Sequence, residues 1–315
     1  PGLATPRPGS SPQASVRGWR HGVVVSWLRS GHSRSAASCL VSAIGTIRWP
    51  WGTNRAHRAA SSKNAAMEVA AHIAALDAAG RHFVDVVTGD SLETPVAPCP
   101  GWDVRELVRH LGGIHRWATR YVSEARTEII DQDLEELVGG WPTDSGLVDW
   151  FAAGHRKLVD ELVAAPPNLD CFTFLEAPSP RAMWARRQAH ETSIHRVDAE
   201  SAIGALTPFP TEFAIDGIDE MLTAFITRRR RGPRAPTERR IQFAPEDDPA
   251  RWTVRFDSDS CSAERIAAAA DAIVSGTASD LYKWAWNRPT IAGVGITGDS
   301  TVADIWKKTV HVRWG

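Results

Sequence analysis

The chain has 315 residues, 43% of them hydrophobic and 23% charged, with a formal net charge of −1. That length and composition suit a packed globular protein of one or two domains. Four widely spaced cysteines, Cys39, Cys99, Cys171 and Cys261, with no C-x-x-C pair, exclude a cysteine-rich zinc ribbon and fit a reduced, cytoplasmic protein; no apolar run is long enough for a membrane span.

Charge is unevenly spread. Residues 1–66 hold eight Arg, one Lys and no acid, which leaves the other 249 residues a net −10. This stretch is rich in Pro, Ser and Gly and has no sustained hydrophobic period. A basic leader of this kind is a transit peptide, a nucleic-acid arm, or a disordered or non-native extension ahead of Met67, the first methionine. The last reading is the expectation here.

From Met67 the pattern becomes helical, with Val69, Ile73, Leu76, Phe83 and Val86 near one period. After a turn-rich stretch ending in CPGWD, Asp103 with Glu106 three residues later forms a capping-box signature for a second helix, DVRELVRHLGGIHRWATRYVSEA. Asp144 or Ser145 can cap a third, which Pro166 and Pro167 stop, and a fourth runs from about Pro180 to Gly204. Four amphipathic helices over about 140 residues predict a four-helix bundle across residues 67–206.

The texture then changes. One further helix, EFAIDGIDEMLTAFITRRRR, precedes strand-like runs at RRIQFA, RWTVRF, AAADAIVSG and IAGVGITG, a short helix ASDLYKWAWNR and a helical C-terminus. Residues 207–315 therefore read as a small α+β domain, giving a two-domain α+β chain. The run Arg228–Arg231 reads as a solvated helix end favoured by the macrodipole; no interleaved aromatics suggest nucleic-acid binding.

Within the fourth helix, AHETSIHRVDAE nearly spells the H-E-x-x-H motif of metalloproteases, with one residue too many between the histidines. At about 100° per residue, His190 and His195 lie about 140° apart and cannot share an ion comfortably, whereas Glu191 and His195 lie about 40° apart on one face. A third ligand would come from the second helix, where His110 shares the apolar stripe of Leu107, Leu111, Ile114 and Trp117; His115 is the second choice. Gly112 and Gly113 beside it cost about 1 kcal/mol each in a helix interior, so they mark either close approach by a neighbouring helix or room for a ligand. Two histidines and a carboxylate suit a catalytic zinc with an open fourth position, and equally they are ordinary buried or boundary polar residues.

The blocks CPGWDVRELVRHLGGIHRWA and RRQAHETSIHRVDAE, with the tail SGTASDLYKWAWNRPTIAGVGITGDSTVADIW, resemble the mycothiol-dependent maleylpyruvate isomerase family. The resemblance covers Met67 to the C-terminus. It implies a DinB-like four-helix bundle with a small α+β domain. It also implies a divalent metal, zinc in the isomerase, on residues matching His110, Glu191 and His195, with mycothiol as thiol cosubstrate. Arg288 matches an arginine that assists catalysis, with Asn287 where the family has a small residue, and would hold a substrate carboxylate. The implied function is a thiol-dependent isomerase or S-transferase acting on small electrophilic or conjugated acids; the competing reading is a non-catalytic metal- and small-molecule-binding protein. Neither nucleic acid nor membrane is an expected partner.

Overall fold

The computed structural model describes residues 67–204, 206–228 and 232–310. The expected leader over residues 1–66, Arg229–Arg231 of the basic run, and the end of the C-terminal helix expected past residue 310 lie outside the described residues.

Four long helices pack side by side: α1 (Val69–Val86), α2 (Val104–Ser123), α4 (Asp144–Ala164) and α5 (Pro180–Ile203). A short α3 (Leu134–Val138) sits in the acidic loop, where no helix was expected. Asp103 caps α2 as expected, accepting the Glu106 amide at 3.0 Å. Ser179 caps α5 by accepting from the Ala182 amide at 3.2 Å, Pro180 opens it, and left-handed Gly204 (φ 82°) closes it. The cap of α4 differs: the preceding residue is Thr143, and Asp144, already helical, accepts Arg105 at 2.9 Å.

Each long helix packs against two others, α1 against α4 and α5, and α2 against the same pair. Helix α5 departs from the amphipathic expectation. Sixteen of its 24 residues are buried, and they point in every direction round the axis. One side faces the bundle and the other faces the residues that follow, so no solvent stripe exists to be read.

Beyond the bundle, α6 (Thr211–Asp219) runs into one π-helical stretch, Glu220–Phe225, rather than continuing as the single long helix expected. A five-stranded sheet follows, ordered β3-β2-β1-β4-β5 from β1 (Arg239–Pro245), β2 (Trp252–Phe256), β3 (Cys261–Glu264), β4 (Ala272–Gly276) and β5 (Gly295–Gly298). β1 and β4 are parallel and the other neighbours antiparallel. Helices α7 (Ala278–Ala285) and α8 (Ser300–Thr309) pack on the sheet, where Phe243, Trp284 and Trp306 meet with ring centroids 5.0–6.0 Å apart. Burying one such indole contributes about 4–6 kcal/mol by apolar area alone. β3 was not foreseen, because Cys-Ser-Ala-Glu carries no apolar alternation.

Just past α7, Asn287 adopts a left-handed conformation (φ 57°), and its side-chain amide donates to the Val310 carbonyl at 2.6 Å. Asparagine tolerates this backbone better than most residues. The turn brings the next residue, Arg288, back onto α5. Among the described residues, no helix is long and apolar enough to cross a membrane.

Candidate metal centre

Helix α2 presents His110 and α5 presents Glu191 and His195 to one point in the bundle. Their three candidate donor atoms lie within 4.8 Å of one another, and all three residues are buried. Glu191 Oε1 stands 3.5 Å from His110 Nε2 and 3.4 Å from His195 Nε2. Those separations exceed the usual 2.7–3.2 Å of a good hydrogen bond. Donors about 2.0–2.2 Å from a tetrahedral ion stand about 3.3–3.6 Å from each other. The residues present therefore fit one small divalent ion.

The surroundings hold each donor in place. His195 Nδ1 lies 2.8 Å from Asp198 Oδ2, which sets the proton on Nδ1 and leaves Nε2 as the donor face. Asp198 in turn accepts both arms of Arg288, at 2.7 Å to Oδ1 and 2.9 Å to Oδ2, and accepts the Cys99 thiol at 3.4 Å. Arg288 also donates to the Trp286 carbonyl at 2.8 Å. On the other ligand, Arg187 donates to Glu191 Oε2 at 3.2 Å and pairs with Glu220 from the π-helical stretch. Its guanidinium sits 4.8 Å from the Phe225 ring centre and 5.5 Å from that of Trp286. Arg187 thus occupies the outer oxygen of Glu191, so Oε1 is the oxygen that faces the two imidazoles. Half-buried Trp102, from the loop that also carries Cys99, lies against both imidazoles, 4.9 Å from His110 and 6.3 Å from His195 between ring centres.

The electrostatics follow this geometry. Burial would raise the Glu191 carboxyl, but facing His110, His195 and Arg187 outweigh it and hold it well below the usual carboxylate range. Asp198 behaves likewise, with burial outweighed by Arg288 and His195. Burial lowers His110, which favours its neutral, donor form. Burial also opposes charge on His195, yet Asp198 and Glu191 prevail and raise it. The Cys99 thiol is pushed far up, first by burial and then by the Asp198 charge, so it remains a thiol.

The other expected residues fall in distinct places. Arg288 reaches the centre, where its fork pairs with Asp198. The two glycines take neighbouring side chains. A Cβ on Gly112 would come within 2.2 Å of Trp150, and one on Gly113 within 3.0 Å of Leu134. Close approach is thus the contact made at both positions, and neither contact involves the metal donors. His115 is buried and is not one of the three donors; its Nε2 lies 2.8 Å from the Thr192 hydroxyl. Arg228, read as a solvated helix end, instead lines a cavity of about 720 Å³ with Phe172, Phe174 and Leu175, beside the start of α5. That cavity meets α5 at Pro180, 11 residues from Glu191, or about 16 Å along the helix.

Sequence reasoning missed Asp198, Arg187, Glu220, Cys99 and Trp102. A signal existed for Asp198, at i+3 from His195 on the same helical face. None existed for Glu220, since nothing local ties it to a helix 33 residues earlier.

Fold and site together define a helical bundle with a candidate histidine–glutamate–histidine metal centre, closed from one side by a small mixed-sheet domain. The family model "Mycothiol maleylpyruvate isomerase N-terminal domain" matches residues 73–200 and "MDMPI C-terminal domain" matches 212–304, so the chain belongs to the mycothiol-dependent maleylpyruvate isomerase family. Two solved structures share the fold: the mycothiol-dependent maleylpyruvate isomerase (TM-score 0.52) and its histidine-to-alanine variant (TM-score 0.53). Each is 13% identical, covering 73% of this chain and 93% of the other. No curated protein matches the sequence.

Proposed function

We propose that this chain binds one divalent ion, zinc by the nature of its donors, on His110, Glu191 and His195, and is a thiol-dependent enzyme of the isomerase or S-transferase type. Its thiol would be mycothiol, as the family and the solved mycothiol-dependent relative suggest, and its second substrate a small electrophilic or conjugated molecule. The observation that carries this reading is the spacing of the three donors, which suits one ion held by three protein ligands with a position left for a fourth. Such an ion, when bound, lowers the pKa of a thiol placed on that position. The chain's own contribution is positional. Asp198 fixes the His195 ring, Arg288 fixes Asp198 from the second domain, and Arg187 leaves Glu191 Oε1 for the ion. Arg288 is accordingly a positioning residue in this reading.

The test measures consumption of a conjugated ester by purified protein in four mixtures, with and without zinc and with and without mycothiol. Turnover is expected only when both are present, is expected to vanish with a chelator, and to return when zinc is restored. Turnover that ignores omission of the thiol would overturn the proposal.

A further inference from the structure

Arg187 does not hold Glu191 in the strongest way open to it. The two stand four residues apart on α5, and an arginine facing one carboxylate pairs best by placing two N–H groups on its two oxygens. Here one terminal nitrogen donates to Glu191 Oε2 at 3.2 Å and the other donates to Glu220 Oε2. The buried Nε has no hydrogen-bond partner among the described residues. The guanidinium is thus divided between two carboxylates, and neither contact falls on Glu191 Oε1. The division is imposed from outside α5. Glu220 and Phe225 meet Arg187 from the π-helical stretch and Trp286 meets it from the end of α7, with the two ring centres 4.8 Å and 5.5 Å from the guanidinium. On an α-helix, residues five apart point about 140° away from each other, which sets them on different faces. A π-helical turn closes its hydrogen bonds over five residues, as the Ile226 amide does onto the Met221 carbonyl at 3.1 Å, and so brings residues five apart toward one face. The change of helix type after Asp219 is what lets Glu220 and Phe225 take the same guanidinium.

We infer that Glu220 is a positioning residue for the metal centre: by holding one end of Arg187, it keeps that guanidinium from closing on both oxygens of Glu191 and leaves Oε1 for the ion. This inference rests on the metal-binding part of the reading above and is independent of the thiol. With the charge at residue 220 removed, the charge-assisted bond that draws Arg187 away from Glu191 is lost. Arg187 then turns both terminal nitrogens onto Glu191, and an ion has to compete with a guanidinium for the same oxygen. Glu220 thus acts on a metal ligand from another helix, through one intervening side chain.

Zinc affinity of the full chain, measured by competition with a chromophoric chelator, tests it. Glu220→Gln keeps the shape of the side chain and removes its charge, whereas Glu220→Asp keeps the charge and shortens the side chain. Affinity is expected to fall about tenfold in Glu220→Gln, the scale on which partners of metal ligands act, and to stay within about threefold of wild type in Glu220→Asp. A role in packing alone gives the opposite order, because the amide fills the space of the carboxylate. Unchanged affinity in folded Glu220→Gln, or a larger loss in Glu220→Asp than in Glu220→Gln, overturns the inference. The route is checked by repeating Glu220→Gln in an Arg187→Lys background. Lysine keeps the charge but has no fork to close on Glu191, so the added substitution is expected to change affinity by less than about twofold. A further loss of about tenfold there means that Glu220 acts by another route, and overturns the inference. If Glu220→Gln does not fold, Phe225→Leu decides. It alters the ring against which Arg187 is seated and no charge, and zinc affinity is expected to fall about threefold; unchanged affinity overturns the inference. Wild-type protein that binds no zinc overturns the metal reading and the inference together, whereas zinc-binding wild type with unaffected variants overturns the inference alone.

Discussion

Helix α5 carries two clusters of the same composition on neighbouring residues. Glu191 and His195 join His110 on one side; His190 joins His72 and Asp216 on the other. Both clusters are two histidines and a carboxylate, all buried. In the first, the carboxylate oxygen stands 3.4–3.5 Å from each imidazole. In the second, Asp216 Oδ2 lies 2.9 Å from His72 Nε2 and 2.8 Å from His190 Nε2, and also accepts Arg186 at 2.9 Å. His190 Nδ1 lies 2.9 Å from the Tyr282 hydroxyl of α7. The shorter contacts are those of hydrogen bonds, and a guanidinium on the same oxygen opposes a cation there. The same residue types therefore stand in two arrangements: one set spaces its donors as a single ion would need, and the other knots α1, α5, α6 and α7 together. Composition does not separate them. Donor spacing and the identity of the fourth neighbour do.

The comparison breaks most readily by substitution on either side of Glu191. His195→Ala is expected to reduce metal content from about one ion per chain to near zero, because one of only three protein ligands is lost. His190→Ala is expected to keep its metal. Elemental analysis of both variants decides it, and equal retention would erase the distinction between the clusters.

A smaller effect is expected from Asp216→Asn, which leaves Arg186 without its charged partner and the two histidines with a weaker acceptor. A loss of about 3 kcal/mol in unfolding free energy, with metal content unchanged, is expected from denaturant titration. The pH dependence carries the sign. Hydrogen bonds from His190 and His72, with the Arg186 charge, outweigh burial and depress the Asp216 carboxyl far below its ordinary value. Its contribution is then fully present above the unfolded carboxyl pKa of about 3.9 and is lost as pH falls below it. The wild type should lose stability more steeply on acidification than Asp216→Asn.

Asp198→Asn should give the smallest of the three effects. It keeps the shape beside His195 but weakens the bond that orients the ring, and metal affinity should fall about 10–100-fold in competition with a chromophoric chelator. Unchanged affinity would mean that Asp198 serves stability alone.

The parts legible in the sequence were those with a local cause. Asp103 announces α2 by its cap, Pro166 and Pro167 announce the end of α4, and Glu191 with His195 share a face by their spacing. Of the triad, only His110 needed a long-range argument, and its place in an apolar stripe supplied one. The rest was not local. His190 was set aside because it cannot share an ion with His195, and nothing near it in sequence shows Asp216 or His72 waiting on other helices. Gly112 and Gly113 signalled crowding without naming Trp150 or Leu134. The break in the helix at Glu220 has no proline or glycine to mark it. That stretch is set by what it meets, including the Arg187 partner of Glu220.

The burial of α5 on both sides bears on how the chain is made. Synthesis proceeds from the N-terminus, so α5 leaves the ribosome before residues 211–288 have emerged. For that interval the side of the helix bearing Arg186, Arg187 and His190 faces water. A stripe of leucines there would be a sticky surface on every half-finished chain. Ionised and hydrogen-bonding side chains are soluble while they wait, and lose their water only when Asp216, Glu220 and Tyr282 arrive to replace it. The polar interior of the finished protein is thus also the protective coat of the nascent one.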